Sequence, residues 1–380
     1  MPVVLFDNSF RSNLFPLAYT RAVADLRIGI LTMAERWKNI LQQEVFIQTE
    51  PFLQPMYKQI PAGEHLWIDA SVFPTKSLVS ELISLKNEMS LGEENGLVAI
   101  KSSKFPGDLK NYDLPCSKPV SRLKTPLQIF QQNSEWLKND FALLTINRLS
   151  APIPTSNKIT GGENIFMEEG AVIEHAIINA STGPVYIGKN AIVMEGSCIR
   201  GPFSLGEGSV LKMGTKIYGA TTLGPFCTGG GEIKNVVMQG YSNKAHDGYL
   251  GDSVLGYWCN LGAGTSNSNI KNTAGVVKIW NEASQDFVDA GQKCGVIMGD
   301  YSRTAINSSI NTGSYIGVSC NVFGDGLLPK VHPNFSWGNK QKYELDKSFR
   351  DIANWKKLKN QSLSETEAAV LKYIFDNFTK

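Results

Sequence analysis

The segment Ile187–Leu223 reads IGKNAIVMEGSCIRGPFSLGEGSVLKMGTKIYGATTL, and one aliphatic residue returns at every sixth position. The residues that keep this period are Ile187, Val193, Ile199, Leu205, Leu211, Ile217 and Leu223. A six-residue period with one inward aliphatic is typical of a left-handed parallel β-helix, whose three short faces form a triangular coil of about 18 residues. Glycines often follow the aliphatics and suit the tight corners of such a coil. A turn-rich β-sandwich is the alternative, but so many consecutive matches to one spacing favour the β-helix.

The six-residue period breaks between Gly229 and Tyr249 and resumes at Leu255 and Leu261. It then continues more loosely toward residue 326. A break of this kind in a solenoid usually indicates a loop that leaves the coil. We therefore expect a projecting loop at the break, which contains His246.

Residues 1–150 have a different pattern, which predicts a mixed α/β domain. The apolar runs VVLFD and HLWIDASVF, at residues 3–7 and 65–73, predict short buried strands. A helix across roughly 20–42 is predicted by apolar residues at three- and four-residue steps, namely Val23, Leu26, Ile30, Met33 and Trp37. Further helices are expected around residues 77–89 and 126–144.

The rest of the chain divides by composition. Residues 151–162 have the Pro, Ser and Gly content of a linker, which assigns 163–338 to the β-helix. Residues 339–380 are expected to form a helical tail, in which Ser364 and Glu367 have the spacing of a capping box.

Composition excludes several classes of protein. A formal net charge of +2, with 19% charged residues, argues against nucleic acid as the main partner. The first residues lack the pattern of a signal peptide, and no apolar stretch is long enough to predict a membrane span. The six cysteines are scattered without metal-binding spacing. They suit free thiols in a reducing compartment, so we expect a cytoplasmic protein.

His246 is the main candidate for chemistry, because it lies where the repeat fails, close to Lys244, Asp247 and Tyr249. A neutral imidazole, with a pKa of about 6.5, suits removal of a proton from an amine or hydroxyl near neutral pH. A nearby lysine suits a phosphate. A lone histidine is also frequently a structural residue, and that alternative stays open on the residues alone.

The segment Glu232–Asn269, EIKNVVMQGYSNKAHDGYLGDSVLGYWCNLGAGTSNSN, resembles the acetyltransferase core of a known family. This is the GlmU family of bifunctional N-acetylglucosamine-1-phosphate uridyltransferases and glucosamine-1-phosphate acetyltransferases. The whole chain resembles the variant branch found in Bacteroidetes, including LFPLAYTRAVADLRIGILTMAERW at residues 14–37 and KMGTKIYGATTLGP at 212–225. The resemblance implies a nucleotidyltransferase-like first domain followed by a left-handed β-helix.

The resemblance also implies activity, substrates and assembly. The chain would acetylate an amino-sugar 1-phosphate with acetyl-CoA and transfer a nucleotide from UTP, or another nucleoside triphosphate, with Mg²⁺. The product would be a nucleotide sugar of the UDP-N-acetylglucosamine type. The assembly would be a homotrimer, with active sites in the clefts between subunits.

Site residues follow from the resemblance by position. His246 corresponds to the catalytic base, and Lys234 to a lysine that binds the sugar phosphate. Tyr249, Asn260 and Asn269 correspond to residues that hold the sugar. The family's phosphate-binding arginine has no counterpart before Lys234, and a second phosphate-binding lysine is replaced by glycine at position 275.

The N-terminal resemblance is less complete. The family's glycine-rich phosphate loop is represented by DNSFRSNLFPLAYTRAVADLR, which contains no glycine. Arg11 and Arg21 stand at the positions expected to bind the triphosphate, and Asp69 at that of the aspartate expected to bind Mg²⁺. Two alternatives remain: an enzyme with one surviving activity, and a trimeric β-helix scaffold without catalysis.

Overall fold

The computed structural model describes residues 1–94, 96–107, 111–339 and 341–379. It contains an α/β N-terminal domain, a parallel β-helix and a helical C-terminal tail. The predicted fold class, with its left-handed β-helix, is confirmed. Among the described residues, no helix is long and apolar enough to cross a membrane.

The N-terminal domain is built on one mixed sheet. Its elements are β1 (Val3–Phe6), α1 (Met33–Leu41), β2 (Val45–Gln48), β3 (His65–Asp69), α2 (Lys76–Ser84), β4 (Ser90–Glu93), β5 (Gly96–Ser102), β6 (Leu114–Pro115), α3 (Pro126–Gln131) and α4 (Asn133–Thr145). The strand order is β2-β1-β3-β5-β4-β6, with β1 parallel to both β2 and β3. Because the chain leaves β1 toward one side and returns on the other, the carboxyl ends of β1 and β3 form a topological switch point.

The helix predicted across 20–42 forms only in its second half. α1 begins after Thr32, whose side chain and that of Glu35 make a capping box. The preceding backbone bonds to other parts of the molecule: the Ile30 and Leu31 amides donate to the Asp140 carboxylate, and the Gly29 amide donates to Asn133. The apolar residues are buried as predicted, but tertiary hydrogen bonds replace those of a helix. The single helix expected over 126–144 is divided into α3 and α4 at residue 132.

The β-helix consists of short strands stacked in parallel. In chain order they are β7 (Lys158–Thr160), β8 (Ile165–Met167), β9 (Val172–Ile173), β10 (Ile177–Asn179), β11 (Val185–Ile187), β12 (Ile192–Val193), β13 (Cys198–Arg200), β14 (Phe203–Leu205), β15 (Val210–Leu211), β16 (Lys216–Tyr218), β17 (Thr221–Leu223), β18 (Thr228–Gly229), β19 (Glu232–Gly240), β20 (Asn243–Lys244), β21 (Tyr249–Tyr257), β22 (Ser266–Asn267), β23 (Lys278–Asn281), β24 (Asp286–Asp289), β25 (Val296–Met298), β26 (Arg303–Thr304), β27 (Ser309–Ile310), β28 (Ser314–Ile316), β29 (Asn321–Val322), β30 (Val331–His332), β31 (Ser336–Trp337) and β32 (Gln341–Lys342). β23 and β24 form an antiparallel hairpin, and β32 closes the end of the β-helix against β31.

The register of the strands confirms the period read from the sequence. Val185 pairs with Phe203 and Ile192 with Val210, each 18 residues later. The seven aliphatic residues of the six-residue period are at most 3% exposed. They line the interior of the coil, as predicted.

The break in the period is not a projecting loop, so that prediction is wrong. Thr228 pairs with Asn243, 15 residues later, and Glu232 pairs with Tyr249, 17 residues later. The chain therefore stays in the coil and shortens it. The true insertion comes afterwards: Val254 pairs with Ile297, 43 residues later, and the intervening chain forms the β23–β24 hairpin.

The N-terminal domain and the β-helix share one apolar core. Residues of the β-helix and its insertion, among them Val237, Val254, Ile279 and Tyr315, belong to the same cluster as the buried side chains of the first domain. Strand β7 lies inside the stretch predicted as a linker and pairs with β10, because its aliphatic residue continues the interior of the coil. The boundaries proposed at 150, 162 and 338 are therefore not gaps between independent bodies.

The C-terminal tail forms α5 (Leu345–Lys357) and α6 (Glu365–Asn377). The predicted capping box of Ser364 and Glu367 opens α6. Val370 and Ile374 pack with Trp258 and Phe335 of the β-helix. All six cysteines are free thiols.

Candidate active sites

His246 lies at a corner of the coil that is stacked directly on the preceding corner. A Cβ atom at Gly230 would lie 2.3 Å from the Ala245 carbonyl oxygen, and one at Gly231 would lie 2.8 Å from that of His246. Gly231 also has a φ of 69°, which favours glycine. The imidazole itself is exposed. The glycines therefore let the two corners pack closely while the His246 ring stays accessible.

Tyr249 belongs to a polar network beside this corner. The Asn269 side-chain amide donates to the Tyr249 hydroxyl at 3.0 Å and also to the Asp252 carboxylate. Asn235 donates to the other oxygen of Asp252 at 2.7 Å. The sequence motif identified Tyr249 and Asn269 but missed Asn235 and Asp252, whose position within the segment EIKN…YLGD was the available signal.

The environment keeps the Tyr249 phenol protonated near neutral pH. Burial raises the pKa of Tyr249 to about 12, the negative charges of Asp252 and Glu232 add to the increase, and the hydrogen bond from Asn269 opposes it. The hydroxyl can therefore donate a hydrogen bond to a ligand while it accepts one from Asn269.

Lys234 lies on the same face as Tyr249, in the adjacent strand. Glu232 pairs with Tyr249 and Lys234 pairs with Gly251, while Ile233 between them points into the core. A Cβ atom at Gly251 would lie 2.2 Å from the Tyr249 hydroxyl oxygen, so the phenol ring lies over this glycine, next to the lysine. The structure thus brings Lys234, Tyr249 and Asn269 together, close to the His246 corner.

Asn260 lies on a different face of the coil. It pairs with Asn243 on one side and with Arg303 on the other. The C-terminal tail reaches this face, where the Lys359 ammonium donates to the Asn243 side chain at 3.1 Å. Within one chain, the structure does not bring Asn260 to Tyr249.

The two arginines predicted to bind nucleotide are both engaged inside the protein. Arg11 forms an ion pair with Asp7 at 3.1 Å and donates to the Ala18 carbonyl oxygen. Arg21 forms an ion pair with Asp300 of the β-helix. Sequence reasoning could not find these roles, because the partner of Arg21 is 279 residues away.

Asp69 is also saturated by partners. Its carboxylate accepts hydrogen bonds from Asn8 at 2.7 Å and from the amide and hydroxyl of Ser71 at 2.8 Å each, and it forms an ion pair with Arg122. The side chain is almost fully buried. Because the guanidinium already holds a cation's place on this carboxylate, Asp69 in this arrangement does not fit the predicted role of Mg²⁺ ligand. Among the residues the structure describes, no group of three His, Cys, Asp or Glu side chains could hold a metal ion.

A cavity of about 210 Å³ lies at the switch point of the sheet. The polar residues that line it are Asn8, Asn13, Asp69, Ser71, Arg122 and Lys124. A second cavity of about 280 Å³ adjoins it at Asn8 and extends past the carboxyl end of β2. Arg122 and Lys124 were not predicted, because they reach the site through the pairing of Arg122 with Val72 rather than through a local motif.

Residues 3–149 match the model of the sugar nucleotidyl transferase family. The bifunctional protein GlmU of Methanococcus vannielii is 25% identical over 275 residues, which cover 69% of this chain and 56% of that protein. GlmU of Methanocaldococcus jannaschii is 31% identical over 99 residues, covering 26% of this chain and 24% of that protein. The solved structure of an Arabidopsis UDP-N-acetylglucosamine acyltransferase aligns with a TM-score of 0.31 and 16% identity, over 60% of this chain and 98% of that one.

The chain thus joins a domain of the sugar nucleotidyl transferase type to a β-helix. It is a relative of the bifunctional GlmU proteins, and the resemblance inferred from the motif is confirmed. The matched segments span 56% or less of the length of these two curated relatives.

Proposed function

We propose that the protein is a bifunctional enzyme that acetylates an amino-sugar 1-phosphate and transfers a nucleotide to the sugar phosphate, giving a UDP-N-acetylglucosamine-type nucleotide sugar. The observation that carries the proposal is the exposed His246 beside the face that holds Lys234, Tyr249 and Asn269. This set combines a base, a cation for phosphate and hydrogen-bonding groups for sugar hydroxyls. The free cysteines suit a cytoplasmic location.

In the proposed acetyl transfer, the sugar amine attacks the thioester carbonyl of acetyl-CoA. His246 removes a proton from the amine as the carbon–nitrogen bond forms, and the carbon–sulfur bond then breaks. The sulfur of coenzyme A leaves as a thiolate and takes up a proton. Lys234 pairs with the sugar phosphate, while Tyr249 and Asn269 orient the sugar by hydrogen bonds to its hydroxyl groups.

We propose a homotrimer, because Asn260 lies on a face of the coil away from Tyr249. In a trimer, Asn260 of one copy would face the Tyr249 side of the next and complete the sugar pocket. Light scattering is expected to give a mass of about three times 41.7 kDa. A monomeric mass for active enzyme would contradict the cleft between subunits.

For the N-terminal domain, we propose that the nucleoside triphosphate, UTP or a related one, occupies the cavities at the switch point. The position agrees with the general rule for ligands of open α/β sheets. Lys124 lines this cavity and is exposed, whereas Arg11 and Arg21 are held by internal carboxylates. Lys124 therefore replaces them as the proposed phosphate contact. The relatives imply a divalent metal ion, but no step is assigned to it here, because Asp69 does not fit as its ligand.

Lys124→Ala is expected to raise the KM for UTP by about three- to tenfold, because an exposed ammonium contributes on the order of 1 kcal/mol to phosphate binding. Steady-state pyrophosphate release measures the effect, and the acetylation rate should stay unchanged. Lys118→Ala, a change at another exposed lysine of the same domain, is the matched control. Equal KM values for both variants would remove Lys124 from the site.

The experiment that tests the function as a whole is an assay with glucosamine 1-phosphate, acetyl-CoA and UTP. Release of coenzyme A reports acetylation, and release of pyrophosphate reports nucleotidyl transfer. Both signals are expected. One signal alone would support a single-activity enzyme, and neither signal would support the scaffold.

A further inference from the structure

Lys244 occupies a position that is aliphatic elsewhere in the β-helix. The ladder of paired residues that points inward along this face runs through Ile173, Val193 and Leu211 to Gly229 and then to Lys244. Lys244 is only 1% exposed. A charged side chain thus stands at a buried core position, directly above a glycine that leaves room for its stem.

The Lys244 ammonium holds the corner that carries His246. It donates to the carbonyl oxygen of Gly230 at 3.1 Å and to that of His246 at 2.5 Å. Gly230 belongs to the preceding corner, so one ammonium joins the two stacked corners. The apolar stem fills the coil while the charged end reaches toward the surface.

Placing an ammonium at a core position is unfavourable for stability. A buried charge costs free energy unless it is paired and hydrogen-bonded, and an aliphatic side chain would fill the same position without that cost. Burial lowers the pKa of Lys244 to about 8, and the charge of Asp247 opposes the shift. The group therefore stays mostly protonated near neutral pH. Its placement points to a need for the corner contact rather than for packing.

We propose that Lys244 is a positioning residue for His246, which fixes the backbone of the His246 corner so that the imidazole faces the sugar amine. The inference rests on the proposed acetyltransferase function of this site. It assigns no contact between Lys244 and the substrate, because both carbonyl oxygens that bind the ammonium belong to the protein backbone.

The test compares Lys244→Met with the matched interior change Leu261→Met. Leu261 follows Lys244 at the corresponding position of the next coil. Lys244→Met should remain folded, with a melting temperature at or above that of the unchanged protein. Its kcat for acetylation should fall by about 10- to 100-fold, with little change in the KM for the sugar phosphate, because a small displacement of a reacting group has effects of this size. Leu261→Met should keep full activity.

A double-mutant cycle with His246→Ala separates positioning from general structural support. If Lys244 acts through His246, adding Lys244→Met to His246→Ala should lower the residual rate by less than about twofold. Independent, multiplying effects would overturn the proposal. Lys244→Gln, which keeps one amide donor, should give an intermediate rate and provides a second variant if the methionine variant does not fold.

The outcomes distinguish this inference from the function on which it rests. A slow His246→Ala variant together with a fully active Lys244→Met variant would overturn the positioning role and leave the acetyltransferase intact. A fully active, folded His246→Ala variant would overturn the acetyltransferase site itself.

Discussion

His246→Ala is expected to lower the rate of acetylation by about 100- to 10,000-fold, because that is the usual contribution of a general base. The KM for the sugar phosphate should change little, since Lys234, Tyr249 and Asn269 supply the binding contacts. Stopped or continuous measurement of coenzyme A release gives both constants. Nucleotidyl transfer to a sugar phosphate that is already acetylated should be unaffected.

The matched control is His175→Ala. His175 is also exposed, and it also lies between strands of the β-helix, in the first coils rather than at the shortened ones. Its removal should leave acetylation unchanged. A structural role for His246 would give the opposite result: a lower melting temperature or loss of assembly, with normal acetylation per folded molecule.

The β-helix could be predicted from sequence because its pattern is local. Each residue of the six-residue period, from Ile187 to Leu223, is placed inward by its own position in the repeat, and all of them are buried. The break in the period was visible too, but a break alone does not distinguish a projecting loop from a shortened coil. That choice depends on pairings such as Thr228 with Asn243, which only the folded chain reveals.

The real insertion was missed for a related reason. The hairpin formed by Lys278–Asn281 and Asp286–Asp289 has no strong sequence signal, and its buried residues pack against the first domain. Contacts between distant segments also explain the errors in the first domain. The roles of Arg21 and Asp69 depend on Asp300 and Arg122, which no local motif connects to them.

In the candidate acetyltransferase site, the motif supplied His246 and three of the four proposed binding residues that the structure gathers beside it. It did not supply Asp252, which orients Asn269, or the exposed Lys124 of the other site. Residues that bind through other residues leave no spacing that can be recognised in one sequence.

Arg21→Ala is expected to destabilise the protein by about 3–5 kcal/mol, because it leaves the buried Asp300 carboxylate without its positive partner. Asp300 also accepts from the Thr20 hydroxyl at 2.6 Å and from the Tyr257 amide at 2.8 Å, so the loss is concentrated where the first domain meets the β-helix. Denaturant unfolding measures the change.

The same variant decides between an ion pair that joins the domains and a nucleotide contact. If Arg21 is structural, the folded fraction of Arg21→Ala keeps the KM for UTP, and Asp300→Ala destabilises the protein by a similar amount. The double variant Arg21→Ala/Asp300→Ala should then lose less than the sum of the two single changes, because removing both partners leaves no unpaired charge in the interface. An additive loss of stability, or a raised KM for UTP with normal stability, would return Arg21 to the nucleotide site predicted from the sequence.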